Sequence, residues 1–140
     1  MDSISVKVPV TIKAKLTEKL KARMLDELAN GIKRAELELQ QIDMEEARVM
    51  KEAQPNENTP EGVAQIRAIR AHFGEERQKR VEYREQALAK QEETQKLALG
   101  AEIIQGTLER QTELKIGDDM REIMNVEVLV EDDKIIAIRS

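Results

Sequence analysis

The chain has 140 residues, which fits one domain or one small domain with an extension. Aromatic residues make up 1% of the sequence, with one Phe, one Tyr and no Trp, whereas charged residues make up 36%. A globular core of this length normally uses several large aromatic rings. The composition therefore favours long helices that pack through aliphatic seams. With a net charge of −5, no block of the chain is basic enough to form a phosphate-binding footprint.

Several chemistries are excluded because the residues that they need are absent. The lack of Cys excludes disulfides, thiolate catalysis and thiolate metal sites. His72 is the single histidine, and we expect it to be structural, beside the helix seam. The six glycines do not have the spacing of a phosphate-binding loop. Lys7 and Lys13 interrupt any signal peptide, and no apolar run is long enough for a membrane span. These observations predict a cytoplasmic protein that is not an enzyme, with no cofactor and no metal site.

The first 14 residues predict a β-strand with one buried face. Apolar residues alternate with polar ones between residues 3 and 13, a period of two residues that is typical of strands. Pro9 points to the other face and cannot donate a hydrogen bond to a neighbouring strand, so we expect an edge strand or a bulge there. The apolar positions are Ile4, Val6, Val8, Val10 and Ile12.

From Thr17, a plausible N-cap, the apolar period becomes helical. A heptad seam runs from Leu28 to Val49 with one polar interruption at Glu46. Asn30-Gly31 often ends a helix, but the seam keeps its phase across this pair. We therefore predict one continuous first helix.

A second helix is predicted to start at Pro60, because Thr59 can cap it and proline is favoured at the first helical position. It runs to about residue 99. Residues 26–65 carry four basic and ten acidic groups, a net of −6, whereas residues 66–100 carry eight and six, a net of +2. The short connection requires the helices to pack antiparallel. We thus predict a coiled-coil hairpin over residues 15–99, with its turn near 54–59 and Gly31 making room for the ring of Tyr83.

Residues 100–140 predict the remainder of a small β domain. A strand is predicted from Ile103 to Ile116, with a bulge or bend at Gly106. A short helical turn then covers residues 118–124, and a β-hairpin closes the chain. The N-terminal strand can pair only with these strands. The predicted fold class is therefore α+β, with the helical hairpin inserted in a small antiparallel β domain formed by both chain ends. A closed barrel and an open sheet both fit this pattern.

The order of these elements resembles that of the YlqD family of small bacterial proteins. The most specific part is the segment from Leu114 to Arg139, which reads LKIGDDMREIMNVEVLVEDDKIIAIR. The resemblance implies the whole architecture, but it implies no activity and no catalytic residue. In some members the gene lies near ribosome-maturation genes, which implies a link with translation.

Three groups of residues are candidate interaction sites. The predicted hairpin tip is acidic, like the tips that transcript-cleavage factors of the Gre type use to hold a catalytic metal in another protein's active site; ordinary turn chemistry is the alternative. Two apolar residues one heptad apart on the outer face of the first helix indicate docking of a further helix. Basic residues lie where the helical hairpin, or arm, leaves the β domain. At this arm root they could contact structured RNA, or they could form an ordinary solvated face. The residues are Glu52, Glu57 and Glu61 at the tip; Leu37 and Met44 on the outer face; and Lys13, Lys15, Lys19, Lys21 and Arg23 at the arm root.

The leading hypothesis is a non-catalytic interaction or scaffold module that presents its helical arm to a macromolecular assembly such as the ribosome. One alternative is an acidic-tipped cofactor of RNA polymerase or of a nuclease. Another is a structural homodimer with Leu37 and Met44 in the contact. We expect a protein partner or self-association. Nucleic acid is a weaker candidate, and neither a membrane nor a small-molecule substrate is indicated.

Overall fold

A computed structural model describes all residues from 1 to 140. The chain forms four strands, two long helices and one short helix. Neither long helix contains a stretch apolar and long enough to cross a membrane. In chain order the elements are β1 (Ser3–Lys15), α1 (Glu18–Ala53), α2 (Pro60–Lys96), β2 (Glu102–Lys115), α3 (Met120–Met124), β3 (Glu127–Glu131) and β4 (Lys134–Arg139).

The structure divides into two compact units. The first, which we call the β unit, combines Met1–Arg23 with Leu97–Ser140. The second, the helical unit, consists of Met24–Lys96. The sheet thus draws on both chain ends while the paired helices occupy the middle of the sequence. This arrangement confirms the predicted α+β class and the predicted insertion.

The sheet has the strand order β2-β1-β3-β4 and is open, with β2 and β4 at its edges. The pairs β1–β2 and β3–β4 are antiparallel, but β1 and β3 are parallel. The sheet is therefore mixed, whereas the sequence predicted an antiparallel one. The difference arises at α3, because this short helix carries the chain from β2 past β1 to the other side, so that β3 enters in the direction of β1.

The strand β1 changes its surroundings along its length. It pairs with β2 throughout, but β3 joins it only from Thr11 onwards. Pro9 therefore lies where β1 has a strand on one side alone, so its missing N–H costs no ladder hydrogen bond. The β-bulge lies opposite the step from Ile12 to Lys13, where Gln105 is the extra residue beside Gly106.

The core of the β unit lies on one face of β1, continued by the start of α1. Its most buried apolar side chains include Val8, Val10 and Leu16. Helix α1 begins immediately afterwards because the Thr17 hydroxyl accepts a hydrogen bond from the Leu20 backbone N–H at 3.1 Å, which is N-cap geometry.

In the helical unit, α1 continues through Asn30-Gly31 without a break. The seam buries Ile32 and Ala35 of α1 together with Phe73 and Ala87 of α2. A Cβ atom added at Gly31 would lie 2.2 Å from the Tyr83 hydroxyl oxygen. The glycine therefore makes room for this ring, as the predicted helix register requires.

Candidate interaction surfaces

Ion pairs cross between the two helices along the seam of the helical unit. Arg77 of α2 binds Asp43 at 3.0 Å and also binds Glu46 of α1, while Arg80 binds Glu38 of α1 at 3.2 Å. The Glu46 side chain is only 22% exposed, so Arg77 explains the polar interruption in the heptad pattern. The hydrogen bonds that the Arg77 guanidinium donates to Glu46 and Asp43 raise the pKa of Arg77. The acidic first helix and basic second helix thus pair through specific residues.

The turn between the helices is tightly built around Gly62. A Cβ atom at Gly62 would lie 1.8 Å from the Asn56 carbonyl oxygen and 2.5 Å from its carbonyl carbon. The backbone of Asn56 therefore packs directly on the first turn of α2. Thr59 caps this turn by accepting a hydrogen bond from the Gly62 N–H at 3.0 Å, and the Asn56 side chain accepts one from the Asn58 N–H at 2.9 Å. A rigid turn follows from these contacts.

The three tip glutamates have different surroundings. Arg48 binds Glu52 at 2.9 Å and also binds Glu45, so the Glu52 carboxylate is held along α1. Glu57 lies in the turn and Glu61 in the first turn of α2; both are exposed, and neither has an ion pair. We call Glu57 and Glu61 the tip carboxylates. The predicted acidic tip thus has two free carboxylates rather than three.

The outer face of α1 exposes its two apolar residues. Leu37 is 59% exposed and Met44 is 72% exposed. Residues seven apart lie on the same side of a helix, so Leu37 and Met44 share one side of α1. That side differs from the side of Ile42, which faces α2, so both residues lie away from the α1–α2 seam. Neither side chain is covered within the helical unit, where they form an apolar stripe among charged residues.

A groove runs between α1 and α2 beside this stripe. Two cavities of about 320 Å³ and 760 Å³ lie along it, and Glu38 and Arg80 line both. The floor is apolar, with Ala35, Ile42 and Phe73, whereas charged side chains form the rims. Met44 lies at the edge of the larger cavity. We call this surface the hairpin groove. It could not be predicted from the sequence, because a groove depends on how two seams meet.

The basic residues at the arm root do not form one patch. Lys13 binds Glu127 of β3 at 2.8 Å, and its hydrogen bond lowers the pKa of that glutamate. Lys19 and Arg23 instead line a cavity of about 150 Å³ with Ile12 and Ala14, which lie on the opposite face of the sheet. Lys21 donates to the Leu97 carbonyl at 2.9 Å, and Lys15 lies near Glu102. The positive charge is thus divided between two faces and partly neutralised.

The paired aspartates have ordinary turn contacts. Asp118 accepts a hydrogen bond from the Lys115 N–H at 2.8 Å, Asp119 caps α3 by accepting one from the Arg121 N–H at 2.9 Å, and Asp132 accepts one from the Thr17 hydroxyl at 2.7 Å. No three His, Cys, Asp or Glu side chains lie together as a metal-binding group. His72 is exposed and has its ring edge-on to Phe73 at 5.0 Å between centroids. The aspartates therefore hold turns in place.

The structure also exposes an apolar edge at β4, a segment that the sequence pattern predicts only as part of a hairpin. Strand β4 lies at the sheet edge, and Ile135, Ile136 and Ile138 are 64%, 48% and 71% exposed. Strict alternation would have indicated one buried face, but the run Ile-Ile-Ala-Ile does not alternate. This departure from alternation was the signal in the sequence that β4 has no single buried face.

The fold defines an α+β protein in which a helical hairpin is inserted between the strands of a mixed sheet. A family model described as YlqD protein matches residues 4–139. The chain belongs to the YlqD family, as the resemblance of the segment from Leu114 to Arg139 indicated.

One solved structure is closely similar over nearly its whole length. It is the crystal structure of a protein of unknown function from Synechococcus sp. WH 8102, with 28% sequence identity and a TM-score of 0.82. The alignment covers 99% of this chain and 95% of that one. No curated protein matches the sequence.

Proposed function

We propose that this chain is a non-catalytic protein-binding module and that the hairpin groove is its binding surface. The observation that carries the proposal is the apolar floor of Ile42 and Phe73 next to the exposed side chain of Met44. Methionine is flexible and polarisable, which suits it to binding surfaces that adapt to a partner. The partner class that fits a groove between two helices is an amphipathic helix of another protein.

The rims support this partner class. Glu38 and Glu45 on α1 face Glu76 and Arg80 on α2 across the floor, so both signs of charge are available. Ion pairs within the hairpin already hold most of these side chains in fixed positions; Arg80 binds Glu76 at 2.6 Å, for example. Preformed rims reduce the ordering cost of binding. Charge therefore selects the partner, while Met44 and the part of Ile42 that stays exposed provide the apolar contact.

The experiment is site-specific photo-crosslinking in lysate of the source organism. A photoreactive residue at Met44 should capture a partner that mass spectrometry identifies, with and without RNase. Ribosomal particles are the first assembly to test, because the family resemblance implies a link with translation. The matched control is a photoreactive residue at Glu36, which is exposed but lies about 80° round the helix on the other flank.

Capture of one protein from Met44 but not from Glu36, abolished by Phe73→Ala while circular dichroism shows that this variant is still folded, would support the proposal. Equal capture from both positions would contradict it. Loss of the capture in an RNase-treated lysate would indicate that RNA holds the complex together, and the groove would then not be the direct contact.

A further inference from the structure

We propose that the β unit binds a free α-amino acid with a small aliphatic side chain, in the cavity of about 150 Å³ between the start of α1 and the sheet. The site is independent of the hairpin groove, because every residue that lines this cavity belongs to the β unit. The proposal rests on three features of the cavity: unpaired cations on α1, carboxylates on the turn between β3 and β4, and an apolar floor.

The cations of the cavity are Lys19 and Arg23. They lie four residues apart, which places both side chains on one side of α1. Neither takes part in an ion pair or a hydrogen bond, whereas Lys13 is neutralised by Glu127. Lys19 also lies in the first turn of α1, where the helix macrodipole favours an anion. An arginine beside a lysine suits a carboxylate, because the guanidinium can bind its two oxygens with parallel hydrogen bonds.

The carboxylates of the cavity are Asp132 and Asp133. The Thr17 hydroxyl donates a hydrogen bond to Asp132 at 2.7 Å, which holds this turn against the start of α1. Asp133 has no hydrogen bond or ion pair. The two signs of charge therefore line one cavity from separate elements without neutralising each other. The aspartates would repel a simple anion and the two cations would repel a simple cation, so a ligand that carries both charges fits best.

The floor of the cavity is apolar and its size limits the ligand. Ala14 and Leu20 are buried, and Val130 pairs with Ala14, so that both side chains lie on this face of the sheet. A cavity of this volume is about large enough for a benzene ring and is smaller than the roughly 300 Å³ at which pockets for drug-sized ligands begin. Nucleotides and larger cofactors are therefore too big. An amino acid of the size of valine can place its side chain on the floor and its two charged groups at the mouth.

The test is an NMR titration of the isotope-labelled full chain with L-valine, at constant pH and ionic strength. Saturable shifts are expected at the side-chain amide of Gln105, which lines the cavity, and at the backbone amide of Val130. The dissociation constant should be about 1 mM, because a ligand with few atoms gains limited affinity. The control signal is the side-chain amide of Gln111, which lies on the same strand but donates to the Ser5 hydroxyl at 2.9 Å outside the cavity.

Analogues of valine test the two charges of the ligand separately. N-acetylvaline lacks the ammonium charge, and valinamide lacks the carboxylate. Each should bind at least about threefold more weakly than valine, because one exposed charged contact is lost. Inorganic phosphate tests whether the cavity is a simple anion site, and it should give no saturable shift at Gln105 or Val130.

Two variants test the charges of the protein. Asp133→Asn removes a carboxylate, and asparagine tolerates the positive φ of 70° at this position. Arg23→Gln removes a cation at an exposed position of α1. Each should raise the dissociation constant for valine at least about threefold. The matched control is Arg67→Gln at an exposed position of α2, which should leave it unchanged. Circular dichroism checks that all three variants fold.

The proposal would be overturned if L-valine at about 50 mM gave no saturable shift at Gln105 and Val130. Binding of N-acetylvaline or of phosphate as tight as that of valine would also overturn it, because the cavity would then not select a ligand with both charges. An equal loss of affinity in Arg67→Gln and Arg23→Gln would show that the effect is one of net charge and not of this cavity.

Discussion

Gly62 determines whether the turn of the helical hairpin can form, and Gly62→Ala tests this directly. The added Cβ would lie 1.8 Å from the Asn56 carbonyl oxygen and 2.8 Å from its amide nitrogen. These are backbone atoms, so no side chain can rotate away, and the turn must move by more than 1 Å. Forced overpacking of this kind typically costs about 1–3 kcal/mol. The better helix propensity of alanine returns about 0.5–1 kcal/mol. We expect a net loss of about 1–2 kcal/mol.

Gly74 provides the matched control, because it lies in the same helix and an added Cβ would meet nothing within 4 Å. Gly74→Ala should therefore stabilise the chain by about 0.5–1 kcal/mol. Thermal unfolding followed by circular dichroism should show melting temperatures that move in opposite directions, by several degrees each. Amide hydrogen exchange should also become faster at residue 62 in Gly62→Ala, since the hydrogen bond to Thr59 is lost.

The reasoning would be refuted if Gly62→Ala melted at or above the wild-type temperature with unchanged amide exchange in the turn. Such a result would mean that the backbone of residues 54–61 relaxes at no cost. A lower melting temperature for both glycine variants would equally contradict the explanation, because Gly74 has no steric reason to resist alanine.

Three further predictions concern packing, pH and the tip. Phe73→Ala should lower the free energy of unfolding by about 3 kcal/mol, since the ring is buried in the seam, whereas Leu37→Ala should change it by less than about 0.5 kcal/mol. Urea unfolding measures both values, and equal losses would mean that Leu37 is a core residue. The hydrogen bond from Arg80 lowers the pKa of Glu76. The folded state therefore binds fewer protons than the unfolded state. The stabilisation that the Arg80–Glu76 pair gives to the folded state is complete above the ordinary glutamate pKa of about 4.3, and it is lost as the pH falls below that value. Arg80→Gln should make the melting temperature less dependent on pH between about pH 5 and pH 3. An unchanged pH dependence would mean that the Arg80–Glu76 pair does not contribute to the loss of stability in acid. Replacing both tip carboxylates with glutamine should leave helicity and crosslinking from Met44 unchanged, and a loss of capture would transfer the binding site to the tip.

The elements of this fold were predictable because their signals are local. The N-caps at Thr17 and Thr59, the heptad seam and the alternation in β1 each depend on residues within a few positions of one another. The register of the hairpin was also predictable, because a short turn leaves two long seams few ways to meet. Gly31 opposite Tyr83 followed from that register.

The strand order was not predictable, for a physical reason. Whether β3 pairs with β1 in parallel or antiparallel orientation depends on where α3 places the chain, and a five-residue helix has no pattern that shows its direction. The split of the basic arm root follows from the same sheet. Lys13 meets Glu127 only because β3 lies beside β1. Of the candidate sites, the exposure of Leu37 and Met44 could be read from periodicity, whereas the hairpin groove could not.

The hairpin groove depends on the helix register, and three independent contacts fix that register. Gly31 accommodates Tyr83 near one end of the helical unit, Arg77 holds Glu46 near the middle, and Gly62 packs on the turn at the other end. A slip by one heptad would place a side chain against the tyrosine and leave Glu46 half-buried without its cation, which is costly. A uniform hydrophobic seam would tolerate such a slip more easily, because its layers are alike. Glu46, the polar interruption of the seam, therefore specifies one arrangement of the groove floor and rims. A partner that binds the charged side chains of the rims requires that arrangement.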